Sequence, residues 1–295
     1  MNNETKRKKT VVALGMFDGV HIGHRALIER TKARAREIGG VSGIFTFSNH
    51  PGAVLGFPTE LISDPKERRA ILLDCGVDAL TMVPFTRDVA DTEPEAFIRL
   101  LTERFELAGV VVGFNHTFGR HGSGTPALLC SEGRRYGFFT DVVAPVLFEN
   151  EPVSSTRIRN AIREGSIEAA NAMLGRCFSL SGTVIRNRAI GRTIGFPTAN
   201  IAVPEHRVLP ADGVYAAECV TRRGTFRAVT NIGTNPTVNG RMRTIETHLI
   251  GFSGDLYGET ITVSLLKRLR GEAKFADLEA LRQRIAADIE AVRTL

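Results

Sequence analysis

The chain has 295 residues, of which 43% are hydrophobic and 24% charged, and its formal net charge is +6. This length predicts about two domains of roughly 100–200 residues each, and no stretch approaches the ~18 apolar residues of a membrane span. The charge suits anionic ligands, but the chain has no Trp and only three Tyr for stacking on bases. We therefore expect a globular protein that binds neither nucleic acid nor a membrane.

The cysteines are widely separated and form no CxxC pair, and the N-terminus lacks an apolar segment of signal-peptide length. Both features are typical of a cytoplasmic protein with reduced thiols. The cysteines are Cys75, Cys130, Cys177 and Cys219.

The first half of the chain alternates β-rich and helix-like segments. The predicted strands are Val11–Phe17, Val41–Phe47, Ala79–Phe85 and Val110–Gly113, and the predicted helices are Arg25–Ile38, Pro65–Cys75 and Glu93–Leu107. Such alternation predicts a Rossmann-like parallel sheet covered by helices on both faces. Ligands bind beyond the carboxyl ends of the strands in sheets of this kind.

The run Gly15–His24 lies at one of these strand ends, where a turn leads into a helix. His21 and His24 are three residues apart and therefore share one side of the helix start. Helix N-termini offer free N–H donors to phosphate, so we expect an anion site here. Asp18 either orients a histidine or fixes the turn, and the sequence leaves both roles open.

A second anion site is predicted where two short helices follow, at Thr156–Glu164 and Ile167–Leu174. Ser155 and Thr156 occupy the position expected of an N-cap. Arg159, one turn later, can bind phosphate through two parallel hydrogen bonds.

The second half has mostly β-rich segments separated by turn residues, which predicts a small antiparallel barrel with a terminal helix. We expect the domain boundary between 175 and 176, giving domains 1–175 and 176–295. The predicted strands are Phe178–Arg186, Gly213–Val220, Phe226–Ile232, Thr244–Ile250 and Thr260–Leu266, and the predicted helix is Phe275–Val292.

One loop of this half combines glycines, a basic residue and oxygen-bearing side chains, in the run Gly191–Asn200. Thr198 and Asn200 offer the oxygen ligands that Mg²⁺ prefers. On residue types alone, a simple turn explains the loop better.

The motifs of both halves resemble those of one family. The run GMFDGVHIGH at 15–24 resembles the HxGH signature of nucleotidyltransferases and, with FDGVH, the adenylyltransferase half of the bacterial bifunctional riboflavin kinase/FMN adenylyltransferase family. The run GRTIGFPTANI at 191–201 resembles the riboflavin kinase half. Further matching segments are Thr46–Pro51, Gly113–Gly119, Ser154–Arg159, Asn231–Thr237, Ile245–His248 and Leu269–Phe275.

For the first half, the resemblance implies attack of the FMN phosphate on the α-phosphorus of ATP, with release of pyrophosphate. His21 and His24 would bind the ATP phosphates, and Thr156 and Arg159 the leaving pyrophosphate. The remaining residues implied to bind ATP are Gly15, Phe17, Asp18, Gly23 and Ser155, and those implied to hold the flavin are Asn115 and Phe118. His50 and His116 are weaker candidates, since a histidine near a strand end is often only packed or capping.

For the second half, the resemblance implies that Glu246 accepts the riboflavin 5′-hydroxyl proton during attack on the ATP γ-phosphate. Thr198 and Asn200 would coordinate Mg²⁺ with ATP. Gly191 and Arg192 would contact ATP, and Arg270 and Phe275 the flavin. The chain departs from the family at Asn187, where a glycine is usual; asparagine tolerates a positive φ better than other non-glycine residues.

The sequence thus predicts an enzyme that converts riboflavin to FMN and FMN to FAD, using ATP and Mg²⁺, as a monomer or weak homo-oligomer. There are three alternative functions: an enzyme in which only one of the two sites is active, a basic nucleic-acid-binding protein, and a flavin-binding module without catalysis. Intact motifs at both sites favour the two-site enzyme.

Overall fold

The computed structural model describes residues 8–186, 195–203, 205–237 and 240–295. The chain forms two compact units that divide between Ser155 and Thr156. Within these described ranges, no helix is long and apolar enough to cross a membrane.

The first unit contains a parallel sheet with the strand order β3-β2-β1-β4-β5. Its strands are β1 (Lys9–Leu14), β2 (Val41–Phe47), β3 (Ala79–Val83), β4 (Glu106–Gly113) and β5 (Phe139–Val143). Its helices are α1 (Ile22–Glu37), α2 (Pro51–Leu55), α3 (Pro65–Asp74), α4 (Arg87–Ala90), α5 (Pro94–Arg104) and α6 (Pro126–Tyr136). A 3₁₀ turn at Arg120–Gly122 and a short hairpin of β6 (Leu147–Phe148) and β7 (Glu151–Pro152) complete it.

Strand β1 lies at the centre of this sheet and has a core on each side. Val11 and Ala13 pack with Ile28 of α1 on one face. Val12 and Leu14, the alternate residues, pack with the α5 helix on the other. This confirms the predicted parallel sheet with two covered faces. The strand prediction was too long, because β1 ends at Leu14 and the chain then turns.

The second unit is a closed antiparallel barrel with the strand order β10-β11-β12-β9-β8-β13, as predicted. Its strands are β8 (Phe178–Ile185), β9 (Ala199–Ile201), β10 (Gly213–Thr221), β11 (Gly224–Thr237), β12 (Gly240–Leu249) and β13 (Thr260–Arg270). Helix α7 (Ser155–Glu164) spans the division between the units, and α8 (Ile167–Leu174) and α9 (Leu278–Arg293) follow.

The pairing of β11 with β12 separates an inner from an outer face. Thr230 and Thr247 are fully buried and hydrogen-bonded to each other at 3.1 Å inside the barrel. Val229, the next residue of β11, faces outward against Ile289 of α9. Because side chains alternate along a strand, Glu246 of β12 lies on the outer face.

Candidate active sites

The turn between β1 and α1 has a strained backbone. Phe17 and Val20 have φ angles of 53° and 41°, and both side chains are fully buried. Positive φ is an outlier for a β-branched residue and costs on the order of 1–3 kcal/mol, so such residues persist only where their surroundings hold them.

Asp18 anchors this turn. Its carboxylate accepts hydrogen bonds from the backbone N–H groups of Ile62 (3.1 Å) and Ser63 (3.3 Å). The hydroxyl of Ser155 donates to the carbonyl of Asp18 at 2.9 Å. These contacts support the turn-fixing role among the two that the sequence left open. Asp18 and Phe17 are almost completely buried, at 1% and 0% exposure, so their side chains lie behind the cavity wall instead of facing a ligand.

The two histidines of the first motif form a stacked pair. The ring centroids of His21 and His24 are 3.6 Å apart, with 16° between the ring planes. His21 is the N-cap of α1, and its Nδ1 accepts a hydrogen bond from the backbone N–H of His24 at 3.3 Å. With Nδ1 as the acceptor, a neutral His21 has its proton on Nε2, which makes Nε2 a donor.

His24 is kept neutral by its surroundings. Burial lowers the pKa of His24 well below the usual 6.5, and the nearby His21 and Arg68 lower it further. Its ring also contacts Phe17, with 5.1 Å between centroids. Among the described residues, Nδ1 of His24 has no hydrogen-bond partner. His24 therefore offers a neutral imidazole at the start of a helix.

Both histidines line a cavity of about 530 Å³ in the first unit. Gly15, Gly23, Asn115 and Ser155 also line it. Much of the remaining wall is aromatic, formed by Phe45, Phe47, Phe85, Phe97, Phe114 and Phe118. A cavity with imidazoles, a helix N-terminus and an aromatic wall suits a ligand that has both phosphate and a flat ring system.

Gly23 allows the close approach of a histidine ring. A Cβ at this position would lie 3.2 Å from the Cε1 and Nδ1 atoms of His21. A larger residue would therefore displace the imidazole.

His50 and His116 also lie near this cavity. His50 is the N-cap of α2, and its Nδ1 accepts from the N–H of Gly52 at 3.1 Å. His116 lines the cavity and stacks on Phe118, with centroids 5.9 Å apart. Burial lowers the pKa of His116 to about 4, so its ring is neutral at pH 7.

The position of the N-cap at the second anion site was predicted wrongly. Helix α7 begins at Ser155, so Ser155 and Thr156 lie within its first turn. The Ser155 hydroxyl is instead used to hold the β1–α1 turn. Within the second unit, Arg159 is 8% exposed and donates to the Thr156 hydroxyl at 3.3 Å. Thr156 and Arg159 thus come together as predicted.

In the barrel, strand register brings the proposed base beside a proposed metal ligand. Glu246 of β12 pairs with Asn200 of β9 on one side and with Asn231 of β11 on the other. Asn200 is 7% exposed and Glu246 is half-buried. Thr198 lies two residues before Asn200, at the entry to β9. Asn187, Gly191 and Arg192 lie outside the described residues.

His248 fixes the chain segment that leads to Thr198. Its Nδ1 is 2.9 Å from the carbonyl oxygen of Pro197, and its ring meets that of Phe196 edge-on at 5.7 Å. His248 lies on the same face of β12 as Glu246, two residues further along.

Arg270 and Phe275 come together at the end of β13. The guanidinium of Arg270 lies 5.7 Å from the ring centroid of Phe275. Asp288 of α9, which is 3% exposed, accepts from Nε of Arg270 at 3.0 Å and from a terminal nitrogen at 2.8 Å. A buried carboxylate therefore orients this arginine.

Comparison with known proteins assigns both halves of the chain. Residues 3–157 match the family model described as FAD synthetase, and residues 174–295 match the one described as riboflavin kinase. The protein of Bacillus subtilis (strain 168) named bifunctional riboflavin kinase/FMN adenylyltransferase is 34% identical over 98% of this chain and 93% of the relative. This chain belongs to that family.

Other members and a solved structure agree with this assignment. The bifunctional riboflavin kinase/FMN adenylyltransferase of Escherichia coli (strain K12) is 35% identical, over 97% of this chain and 92% of the relative. A crystal structure named as a macrolide-efflux protein from Streptococcus pneumoniae has a TM-score of 0.90 at 32% identity and covers 100% of this chain and 98% of its own. That name concerns the other protein alone.

As a member of the bifunctional family, the protein phosphorylates riboflavin to FMN with ATP in its C-terminal half. Its N-terminal half adenylylates FMN to FAD with ATP and releases pyrophosphate. Both are ATP-using transferase activities of kinds that generally need a divalent metal.

Sequence reasoning gave no role to several residues that shape these sites. Asn231 and His248 lie within quoted motifs, and the two-residue alternation of a strand would have placed His248 on the face of Glu246. Asn231 lies on that face through the register of β11 with β12. Arg68 and Asp288 gave no such signal, because each lies among other charged residues in a helix.

Proposed function

We propose that the cavity of the first unit binds FMN and ATP, and that the His21–His24 pair stabilises the ATP phosphates during adenylyl transfer. The stacked imidazoles at the N-terminus of α1, on the wall of an aromatic cavity, are the observation that supports this proposal most strongly. Gly15 and Gly23 allow the phosphates close access to the turn, and Asn115 and Phe118 contact the flavin end. Thr156 and Arg159 bind the leaving pyrophosphate.

The transfer needs no protein nucleophile. An oxygen of the FMN phosphate attacks the α-phosphorus of ATP, a P–O bond forms, and the bond to pyrophosphate breaks. The enzyme contributes alignment and charge stabilisation. The imidazoles and helix N–H groups donate hydrogen bonds to oxygens on which negative charge increases, and Arg159 neutralises the leaving group.

We propose that Glu246 is the general base of the kinase reaction. Its carboxylate accepts the proton of the riboflavin 5′-hydroxyl as that oxygen attacks the γ-phosphorus and ADP leaves. One carboxylate is sufficient, because the phosphoryl transition state is loose and depends mostly on alignment. Arg270 and Phe275 hold the flavin, and Gly191 and Arg192 contact ATP.

The donor set near Glu246 fits Mg²⁺. Asn200 and Thr198 provide an amide and a hydroxyl oxygen, and the pairing of β9 with β12 places Asn200 beside Glu246, the proposed base. Mg²⁺ typically uses one or two protein oxygens together with substrate phosphates. A Mg²⁺ ion bound there would neutralise phosphate charge during transfer, and we propose Mg²⁺ as the metal of this protein.

We further propose that the functional boundary lies between 175 and 176. The family models support a boundary region, since one ends at 157 and the other begins at 174. The cytoplasmic location and the monomeric or weakly oligomeric state stay predictions.

Two variants of the full chain test the site assignment. The reaction starts from riboflavin, ATP and Mg²⁺, and FMN and FAD are followed by chromatography. We expect His21→Ala to accumulate FMN, because only the second step is impaired. Glu246→Gln should give neither product until FMN is supplied, whereupon FAD appears.

Riboflavin phosphorylation is the control activity for His21→Ala, and FAD formation from supplied FMN is the control activity for Glu246→Gln. Glu279 is an exposed glutamate on α9, and Glu279→Gln controls for loss of a carboxylate in the same unit as Glu246. Undiminished FAD formation by His21→Ala would overturn the role of the histidines. Undiminished FMN formation by Glu246→Gln would overturn the role of the base.

A further inference from the structure

Arg68 of α3 is among the largest of the almost fully buried side chains in the described part of the chain, at 2% exposure. Its guanidinium donates hydrogen bonds to the carbonyls of Met16 (3.0 Å) and Ser48 (3.1 Å), and also to that of Phe47. Met16 belongs to the β1–α1 turn, Phe47 is the last residue of β2, and Ser48 follows it. One side chain therefore joins two separate chain segments at the carboxyl edge of the sheet.

Both of these segments form the wall of the adenylyltransferase cavity. Met16 and Phe47 line the cavity, and the His21–His24 pair follows directly after the first segment. The Met16 carbonyl also accepts from the Thr46 hydroxyl at 3.2 Å. A planar fork of donors can bond to several carbonyls at once, which an ammonium group or an apolar side chain cannot do in the same way.

Arg68 also places a positive charge behind the phosphate-binding histidines. Its charge acts on the ring of His24, and it is itself attracted by the carboxylate of Asp18. Burying a guanidinium is costly, and an apolar residue of similar volume would pack without that cost. A buried arginine at this position is explained better by a contribution to the site than by packing alone.

We propose that Arg68 is a positioning residue for FAD formation: it fixes the β1–α1 turn against the end of β2 and thereby sets the two imidazoles for the ATP phosphates. The inference rests on the proposed role of His21 and His24. It concerns the step from FMN to FAD alone, so riboflavin phosphorylation by the same chain shows whether the effect is confined to that step, and Tm reports the folding of the unit that contains Arg68.

The test compares Arg68→Met, Arg68→Lys and Arg69→Met in the full chain. Met keeps the length and removes charge and donors, and Lys keeps the charge without the fork. Arg69 is an exposed arginine next to it on the same helix. For FAD formation we expect a kcat at least 30-fold lower in Arg68→Met and about 10-fold lower in Arg68→Lys, with KM for FMN changed by less than threefold. Arg69→Met and all kinase rates should stay within twofold of wild type.

A residue that only stabilises the fold would lower Tm and leave kcat of the folded fraction unchanged, and that result for both Arg68 variants would overturn the proposal. If Arg68→Met does not fold, the kcat of Arg68→Lys alone tests the proposal, because lysine retains the buried charge. His24→Ala is measured in parallel. If FAD formation survives His24→Ala, the proposed phosphate site is wrong; if it fails there but survives in both Arg68 variants, only the role of Arg68 is wrong.

Discussion

The two active sites of this protein are held together in different ways. In the adenylyltransferase half, the functional side chains lie on a strained turn that is fixed by contacts with distant segments, such as Asp18 with Ile62 and Met16 with Arg68. In the kinase half, Glu246 and Asn200 face each other because the register of β12 and β9 places them there.

This difference determines how each site responds to mutation. A turn that depends on a few long-range hydrogen bonds changes shape when one of them is removed. The strand pairing is made by backbone groups, so a single side chain can be replaced without moving its neighbours. We therefore expect positioning mutations to have large effects in the first half and small ones in the barrel.

The largest effect is expected for Asp18→Ala. The substitution leaves the buried N–H groups of Ile62 and Ser63 without their acceptor, at a cost of about 1–3 kcal/mol for each group. The positive φ of Val20 then loses its restraint, and the His21–His24 pair shifts. We predict that the free energy of unfolding of this half falls by about 3 kcal/mol and that FAD formation falls by about 100-fold.

Denaturant unfolding and FAD formation from supplied FMN measure these two quantities. Asp88→Ala removes an exposed carboxylate of the same half and should change neither. Retention of full FAD formation by Asp18→Ala would show that the turn keeps its shape without this anchor, and the contrast between the two sites would be lost.

The same contrast explains which parts of the molecule the sequence could predict. Strand β2 and helix α8 were predicted at their observed bounds, because local periodicity matches the tertiary context there. The helix predicted over 93–107 extended too far, since Glu106 and Leu107 pair with β1 as the start of β4. Strand β9 was not predicted, because three residues show no periodicity and it exists only by pairing with β8 and β12.

The site residues also differ in how far the sequence could predict them. The motif residues His21, His24 and Glu246 could be found from the sequence, because the residue types and their spacing are distinctive. The contacts that hold the first motif were not predictable. Nothing in the local pattern around Arg68 indicates that its side chain is buried against carbonyls of two other segments, since that depends on how α3 packs.

An intermediate effect is expected from pH through His116. Its pKa is about 4 in the folded protein against 6.5 for an ordinary histidine. Between these values the unfolded chain binds the proton and the folded one does not, so folding stability falls as the pH is lowered from about 7 to 4. The shift of about 2.5 units corresponds to roughly 3 kcal/mol, reached only at the acidic end.

Denaturant unfolding of wild type and His116→Phe at pH 7 and pH 4.5 measures this contribution. The phenylalanine keeps an aromatic ring beside Phe118 and cannot be protonated, so the variant should lose about 2 kcal/mol less stability than wild type over this interval. Other groups with lowered pKa values, His24 and Asp141 among them, contribute equally to both proteins and cancel in the difference. If the free energy of unfolding fell equally in wild type and His116→Phe between pH 7 and pH 4.5, His116 would not be held neutral by burial.

The smallest effect is expected at His248 of the barrel. Its ring nitrogen continues the pairing of β12 with the chain entering β9, beyond the last backbone pair of Thr247 with Ala199. His248→Leu removes the hydrogen bond to Pro197, worth about 1 kcal/mol, so KM for ATP in riboflavin phosphorylation should rise about fivefold with kcat nearly unchanged. His248→Asn can place an amide N–H near the position of Nδ1 and should restore KM to within twofold. Strand pairing still holds Asn200 beside Glu246 in either variant, so kcat should be retained. If kcat of the kinase reaction instead fell about 100-fold, as FAD formation should in Asp18→Ala, the barrel site would also depend on single side-chain contacts.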